Sequence, residues 1–394
     1  MRIGLFTDVV DPGGPPYERL IWAMVQRLLA EGHEVTVLAQ AVASEADEAA
    51  TWPDRLSVRC WRKPKGRLLH WDRMLSAARW AQRILNREGF DLTLSLSPLL
   101  SADAVVALRG WWGHRWEMRQ QAIAGRLRRA VAGWRDRAHP ALAEVRRRER
   151  SVLADPRVRL IVTPGEAVSD WIRRRGGRSR RLVQVTTWPS VSGVEPDVAA
   201  GYRRQVRQGF GIADTDRALL FATTDPLLDG ASTLIDAVAG SAWLRAHTVM
   251  MMAGEVGYAE HARVVRHGLR DRARFIYHTR QYPALYAAAE VTVIPTWFDP
   301  WGQIMRESLE SGTPVLTTRR SSIAPLLEDT GPDPAGIAID QPGDAATLAK
   351  ALEEMCDDQR LPAMATSARR VSQVCDTNAF MQEMLDWVRQ ARWE

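Results

Sequence analysis

The chain has 394 residues, of which 46% are hydrophobic and 25% charged, a length and apolar content sufficient for two domains that each bury a core. No uninterrupted apolar run approaches the roughly 18 residues needed to cross a bilayer, and the amino terminus enters a strand with no signal-peptide pattern, so the reading is a soluble, cytoplasmic protein. Three cysteines, Cys60, Cys356 and Cys375, odd in number, widely spaced and without metal-ligand spacing, support neither a disulfide framework nor a zinc site, and nearly all of the positive charge behind the net +6 is arginine.

From the amino terminus, Arg2 to Asp8 reads as a strand. A glycine-rich loop, Pro12-Gly13-Gly14-Pro15-Pro16, follows, then a helix with apolar positions Leu20, Met24 and Leu28, and then Glu31-Gly32-His33-Glu34-Val35-Thr36-Val37. Further strands are predicted at 56–61, 91–95, 104–108, 159–163 and 182–186. After a Pro/Gly/Ser-rich loop, Trp188 to Pro196, the pattern restarts with strands at 218–222, 248–253, 274–277, 291–294, 314–317 and 336–339. Short strands alternating with helices predict two doubly wound α/β domains with parallel sheets covered on both faces and a hinge near residue 190. Ligand then belongs in the cleft between the domains, at the carboxyl ends of the strands.

Between Arg109 and Arg150 lie twelve arginines, four tryptophans (Trp111, Trp112, Trp116, Trp134) and four acids (Glu117, Asp136, Glu144, Glu149). Tryptophan favours the bilayer interface, and an arginine near an anionic leaflet contributes about 1 kcal/mol. The tryptophans with Arg126, Arg128 and Arg129 therefore read as a surface for an anionic membrane or a phosphorylated glycolipid. The alternative at this point is a solvated basic helix whose tryptophans pack inward. Nucleic acid is disfavoured, because no binding module accompanies the basic segment.

The most informative stretch is Phe298-Asp299-Pro300-Trp301-Gly302-Gln303-Ile304-Met305-Arg306-Glu307, followed by Ser311-Gly312-Thr313-Pro314-Val315. The residues before it alternate like a strand, and those from Ile304 to Ser311 have helical spacing. Gly302 therefore falls at a helix start, where backbone N–H groups can face an anion. Glu307 would lie one to two turns in, able to accept from paired ribose hydroxyls, and Asp299 on the loop could hold sugar hydroxyls.

This run resembles the Glu-Pro-Phe-Gly-x4-Glu motif of the retaining glycosyltransferases of family 4, with Asp299 in place of the first glutamate. The opening strand, Gly13-Gly14 loop and Gly-His-Glu-Val strand resemble the same family, and the lipopolysaccharide core glucosyltransferase I group within it is most similar. The resemblance implies a GT-B fold of two Rossmann-like doubly wound domains facing a cleft, with residues 1–190 plus 378–394 binding acceptor and 197–377 binding donor. The last helix, Phe380 to Trp393 with Met384, Leu385 and Val388, would return to the first domain.

The resemblance further implies hexosyl transfer from a nucleoside-diphosphate sugar to a membrane-associated glycolipid or polysaccharide, with no cofactor, metal or protein nucleophile. Donor contacts would come from Gly13, Gly14, Asp299, Gly302, Gln303, Ile304 and Glu307. The acceptor-side group would lie between Ser97 and His114, where Asp103 and His114 are the candidates and Asp103 can equally cap a turn. The family's diphosphate-binding arginine and lysine have no counterpart: Leu228 and Asp229 stand in their places. Either Arg319, Arg320 or Arg280 substitutes for them, or the chain is a silent relative that binds ligand or membrane without turnover.

Overall fold

In the computed structural model the described residues are 1–43, 52–62, 70–163, 165–175, 181–184, 196–277, 279–328, 333–372 and 377–392. They divide into two units, Met1–Gln120 with Ala124–Pro189 and Asp376–Glu394, and Gln121–Ile123 with Ser190–Cys375. The expected hinge near residue 190 and the terminal Trp393 lie outside the described residues, as does the side chain of Val388.

The first unit carries strands β1 (Arg2–Val10), β2 (Glu34–Val42), β3 (Leu56–Cys60), β4 (Leu92–Ser95), β5 (Ala104–Val106), β6 (Leu160–Thr163) and β7 (Arg181–Gln184). Its helices are α1 (Pro16–Ala30), α2 (His70–Arg87), α3 (Trp112–Ala122), α4 (Arg126–Ala138), α5 (Pro140–Ala154) and α6 (Glu166–Arg174). The strands form one parallel sheet in the order β3-β2-β1-β4-β5-β6-β7, with Ile3 opposite Val35 and Leu5 opposite Val37. The arginine-rich segment that the sequence left unresolved is three helices, broken at Gly125 and at Pro140; the proline opens α5, where its missing N–H costs nothing.

The second unit begins with α7 (Pro196–Phe210), β8 (Arg217–Thr223), α8 (Ala231–Gly240), α9 (Ala242–His247), β9 (Thr248–Gly254), α10 (Tyr258–Arg266) and β10 (Ala273–Ile276). It continues with α11 (Tyr282–Ala288), β11 (Val291–Val293), α12 (Gln303–Glu310), β12 (Val315–Thr318), α13 (Ala324–Glu328), β13 (Gly336–Ile339), α14 (Ala345–Met355) and α15 (Leu361–Ser372). The sheet is again parallel, in the order β10-β9-β8-β11-β12-β13. A last helix, α16 (Thr377–Arg392), packs on α1 and β6 of the first unit and buries Phe380, Met381, Met384 and Leu385.

The period of two along β8 explains the layering. Leu219 and Phe221 enter one apolar cluster with Met250 and Met252, while Ala218, Leu220 and Ala222 enter another with Met251. Both faces are apolar because helices cover both, which is why these strands read as continuous hydrophobic runs. In each sheet the strand order reverses between the first and fourth strands (β1/β4 and β8/β11), and ligand crevices of such sheets form outside the carboxyl ends at that reversal.

Candidate functional site

In the second unit the loops after β8, β11 and β12 meet at the carboxyl ends of the strands. The Leu228 carbonyl accepts from Trp297 N (2.7 Å) and Thr296 Oγ1 (3.2 Å), and Thr318 Oγ1 donates to the Thr296 carbonyl (2.6 Å). Two glycines make this convergence possible. Gly230 caps α8 at φ +81°, and a Cβ there would lie 2.3 Å from the Pro295 carbonyl oxygen; Gly302 caps α12 at φ +62°, with Ile323 Cγ2 2.2 Å from the position of a Cβ.

The helix that starts at Gly302 gathers the candidate donor residues. Gln303, Arg306 and Glu307 share one face by the three- and four-residue spacing, and all three are buried. Tyr286 Oη donates to Glu307 Oε2 (3.2 Å), Gln303 Nε2 to Glu307 Oε1 (3.4 Å), and Arg306 Nη2 to Gln303 Oε1 (2.5 Å). Ile304, part-exposed, packs against two apolar clusters. First-turn N–H groups of a helix lack intrahelical partners and carry the positive end of its dipole, so this end suits an anion.

Asp299 faces its own loop. Its Oδ1 accepts from Gly302 N (2.8 Å) and Trp301 N (3.3 Å), and its Oδ2 from Ser321 Oγ (3.4 Å). Burial pushes its carboxyl up from the usual range, against the pull of those N–H groups, Ser321 and the charge of Arg306. Asp299 thus fixes the loop that presents Gly302.

The cations expected to replace the lost pair are dispersed. Arg319 is turned outward into exposed ion pairs with Glu328 (2.8 Å) and Asp340 (2.7 Å), which corrects its expected place at a diphosphate. Arg320 and Arg280 are exposed after β12 and β10. Leu228 is buried, and Asp229 Oδ2 accepts from Thr223 Oγ1 (2.5 Å). The guanidinium at the centre of the site is that of Arg306, which the sequence reading passed over although its spacing from Gln303 and Glu307 marked it.

In the first unit the Gly13-Gly14 loop lies at the carboxyl end of β1, with Gly14 N donating to the Asp11 carbonyl (3.1 Å) and Arg19 Nη1 to the Gly14 carbonyl (2.9 Å). Glu18, buried in the first turn of α1, pairs with Arg109 from the segment after β5, and its Oε2 has no hydrogen-bond partner among the described residues. Asp103 does not belong to this group. It precedes β5, at the amino ends of the strands, where its Oδ2 accepts from Thr93 N (2.9 Å) and Oγ1 (2.7 Å). A carboxylate there ties two strands and is at the wrong edge of the sheet to meet ligand. His114, in the first turn of α3, stacks on Trp171 with ring centroids 5.3 Å apart.

The tryptophan surface also needs correction. Trp111 is 1% exposed in the core; Trp112 packs edge-on against Trp71; Trp116 Nε1 donates to Asp136 Oδ2 (3.1 Å) beneath Arg137 and Arg146. Only Trp134 of the four is open, at 72% exposed, and it joins Leu127 (78%) and Val131 (58%) on one stripe of α4. Arg126, Arg128 and Arg129 are exposed on the same helix.

Beneath α3, Glu149 is buried and accepts from the backbone N–H groups of Trp112 and Gly113 (the latter 2.9 Å). Burial raises its carboxyl to about 8, with those N–H groups opposing. The folded state then holds a proton that the unfolded chain releases above its ordinary value, so stability falls as pH rises towards 8. The steepest slope is about 1.4 kcal/mol per pH unit. Glu149→Gln is expected to flatten the fall in melting temperature between pH 5 and pH 8; identical profiles for variant and parent would contradict the assignment.

Among the described residues, no group of three or more His, Cys, Asp or Glu side chains is arranged to hold a metal, and no helix is long and apolar enough to cross a membrane. The sequence pattern of the family Glycosyl transferases group 1 matches residues 203–371, which span the site helix and its three loops. A D-inositol 3-phosphate glycosyltransferase 2 of Catenulispora acidiphila is 27% identical over 216 residues, 51% of this chain and 49% of that protein. The chain therefore spans about half the length of this curated relative.

Among solved structures, WaaG, a glycosyltransferase involved in lipopolysaccharide biosynthesis, superposes with a TM-score of 0.77 at 19% identity, over 98% of this chain and 99% of WaaG. HepE of Anabaena in complex with UDP-glucose superposes with a TM-score of 0.63 at 17% identity, over 98% and 99%. The fold is GT-B, built from two Rossmann-like doubly wound domains.

Proposed function

We propose that this chain is a group 1 glycosyltransferase that moves a sugar, with retention of configuration, from a nucleoside-diphosphate sugar to a glycolipid or polysaccharide acceptor at a membrane surface. The observation that carries the reading is the Gly302-to-Glu307 turn and helix at the strand-order reversal of the second sheet, within the segment that matches the family. Glu307 would accept the ribose hydroxyls. The start of α12, with Arg306 behind it, would supply positive potential where the leaving diphosphate gains charge, and fixed donors of this kind act in the transition state without reorganisation. The Gly13-Gly14 loop and His114 would serve the transferred sugar and its acceptor. UDP-glucose, the ligand of HepE, is the first donor to try.

A second reading, a silent relative that binds without turnover, is favoured by Leu228, Asp229 and the outward Arg319, which leave the loop after β8 without a cation. Release of nucleoside diphosphate from a panel of UDP-, GDP- and ADP-sugars separates the two. Turnover of one donor, lost in Glu307→Ala and not restored by Glu307→Gln, is expected; nucleotide binding without release by the parent protein would establish the silent relative.

Helix α4 supplies the membrane reading. Its stripe of Leu127, Val131 and Trp134, flanked by exposed arginines, has the composition of a helix lying in the headgroup region. Leu127→Glu with Trp134→Glu is expected to lower co-sedimentation with vesicles containing anionic lipid at least tenfold while leaving the melting temperature within about 1 °C, since exposed positions contribute little to stability. Unchanged vesicle binding would contradict a role for α4.

A further inference from the structure

At the opposite edge of the second sheet from the Gly302 loop, a cavity of about 480 Å³ opens among α7, the start of β8, the turn from α12 to β12, and α15. Its wall is apolar and small, from Ala199, Ala289, Pro314 and Pro362 among others, and three guanidiniums line it: Arg203, Arg217 and Arg369. They come from three separate elements, so no helical repeat brought them together.

The charge around the cavity is unbalanced. Glu290 is shared by Arg203 and by the buried Arg207 (3.2 Å), and it also accepts from Ala218 N (2.6 Å). Arg217 pairs with the exposed Asp358. Arg369 has no hydrogen bond or ion pair from its guanidinium among the described residues; the group lies flat against Gly312, close enough that a Cβ there would sit 2.5 Å from Arg369 Nε. Among the lining residues three guanidiniums face two carboxylates, a surplus of one charge, and Arg207 behind them is also near Asp214 (4.0 Å). A phosphate monoester carries a charge near −2 at neutral pH and takes bidentate contacts from guanidinium groups. The volume is that of a small-molecule site.

We propose that this cavity is a second anion site that takes the phosphate of a small phosphorylated metabolite of about sugar-phosphate size, held by Arg369, Arg217 and Arg203. It is separate from the candidate donor site: α12 runs from Gly302 at one to Ser311 and Gly312 at the other, about 12 Å along the helix. The proposal does not depend on glycosyl transfer.

The test is calorimetric titration of the full chain with inorganic phosphate and with glucose 6-phosphate, free and in saturating UDP, for the parent protein, Arg369→Gln, Arg217→Gln and Arg263→Gln. Arg263, paired with Asp236 away from the cavity, is the control, and circular dichroism checks that each variant folds. Saturable binding that persists in UDP, weakens at least tenfold in Arg369→Gln and in Arg217→Gln, and is unchanged in Arg263→Gln is expected. No saturable binding into the millimolar range, equal weakening in all three variants, or binding displaced by UDP and indifferent to Arg369 would each overturn it. If no nucleotide binds at all, the donor-site reading fails, and the titration of the free protein still decides the second site.

Discussion

Gly302→Val is expected to abolish nucleotide binding and to destabilise the second unit. A β-branched residue at φ +62° meets left-handed strain of roughly 1–2 kcal/mol. Its Cβ would also sit 2.2 Å from Ile323 Cγ2, and overpacking of that kind costs about 1–3 kcal/mol more. Relief requires the loop to move, and movement breaks the bonds from Gly302 and Trp301 to Asp299, the contacts that hold the start of α12 in place. Affinity should therefore fall further than stability alone would dictate. A melting temperature and a UDP affinity that both match the parent would show that the loop is not as tightly specified as its geometry implies.

Arg306→Met is the second large effect. The guanidinium is fully buried, donates to Gln303 at 2.5 Å, and adds its charge to the stronger pulls of the Gly302 and Trp301 N–H groups and Ser321 that oppose the upward push of burial on Asp299. Removing it leaves the buried Gln303 Oε1 without that donor, at a cost of about 1–3 kcal/mol, and takes a favourable charge from the vicinity of Asp299. The sign with pH follows. A carboxyl already raised by burial favours the folded state when protonated, and without Arg306 it is raised further. The penalty should thus be smaller near pH 5 and larger near pH 8. Denaturant unfolding at both values measures this; a penalty independent of pH would mean that Arg306 acts through packing alone.

The fold was readable because parallel strands covered on both faces leave continuous apolar runs, such as 218–222 and 248–253, and because the helices between them keep an apolar stripe. Each predicted strand is present among the described residues, residues 185 and 186 of one lying outside them, with ends shifted by up to a few residues, mainly where β1 and β2 run on as Val9 pairs with Ala41 and Val10 with Val42. The loop-to-helix turn at Gly302 was readable for a similar reason: a glycine between a strand and a helical pattern needs a backbone explanation.

Side-chain direction was less readable. Asp103 was the acceptor-side carboxylate that the resemblance implied, but which edge of the sheet it occupies depends on strand boundaries. Arg319 was expected at a phosphate, yet Asp340, a distant residue in sequence, holds it at the surface. The tryptophans were read as one group, whereas Asp136, Trp71 and Trp171 take three of them inward and leave α4 with a different apolar stripe. In each case the deciding partner comes from another element, and sequence spacing carries no record of it.

The proposed activity requires that the Gly302 loop and Glu307 bind a nucleoside diphosphate. Calorimetric titration of the parent protein and Glu307→Ala with UDP, GDP and ADP tests it most directly, with a melting curve to show that the variant folds. Micromolar binding of one nucleotide by the parent, weakened at least a hundredfold in folded Glu307→Ala, is the predicted result; no binding of any of the three, or equal binding by both proteins, would contradict it.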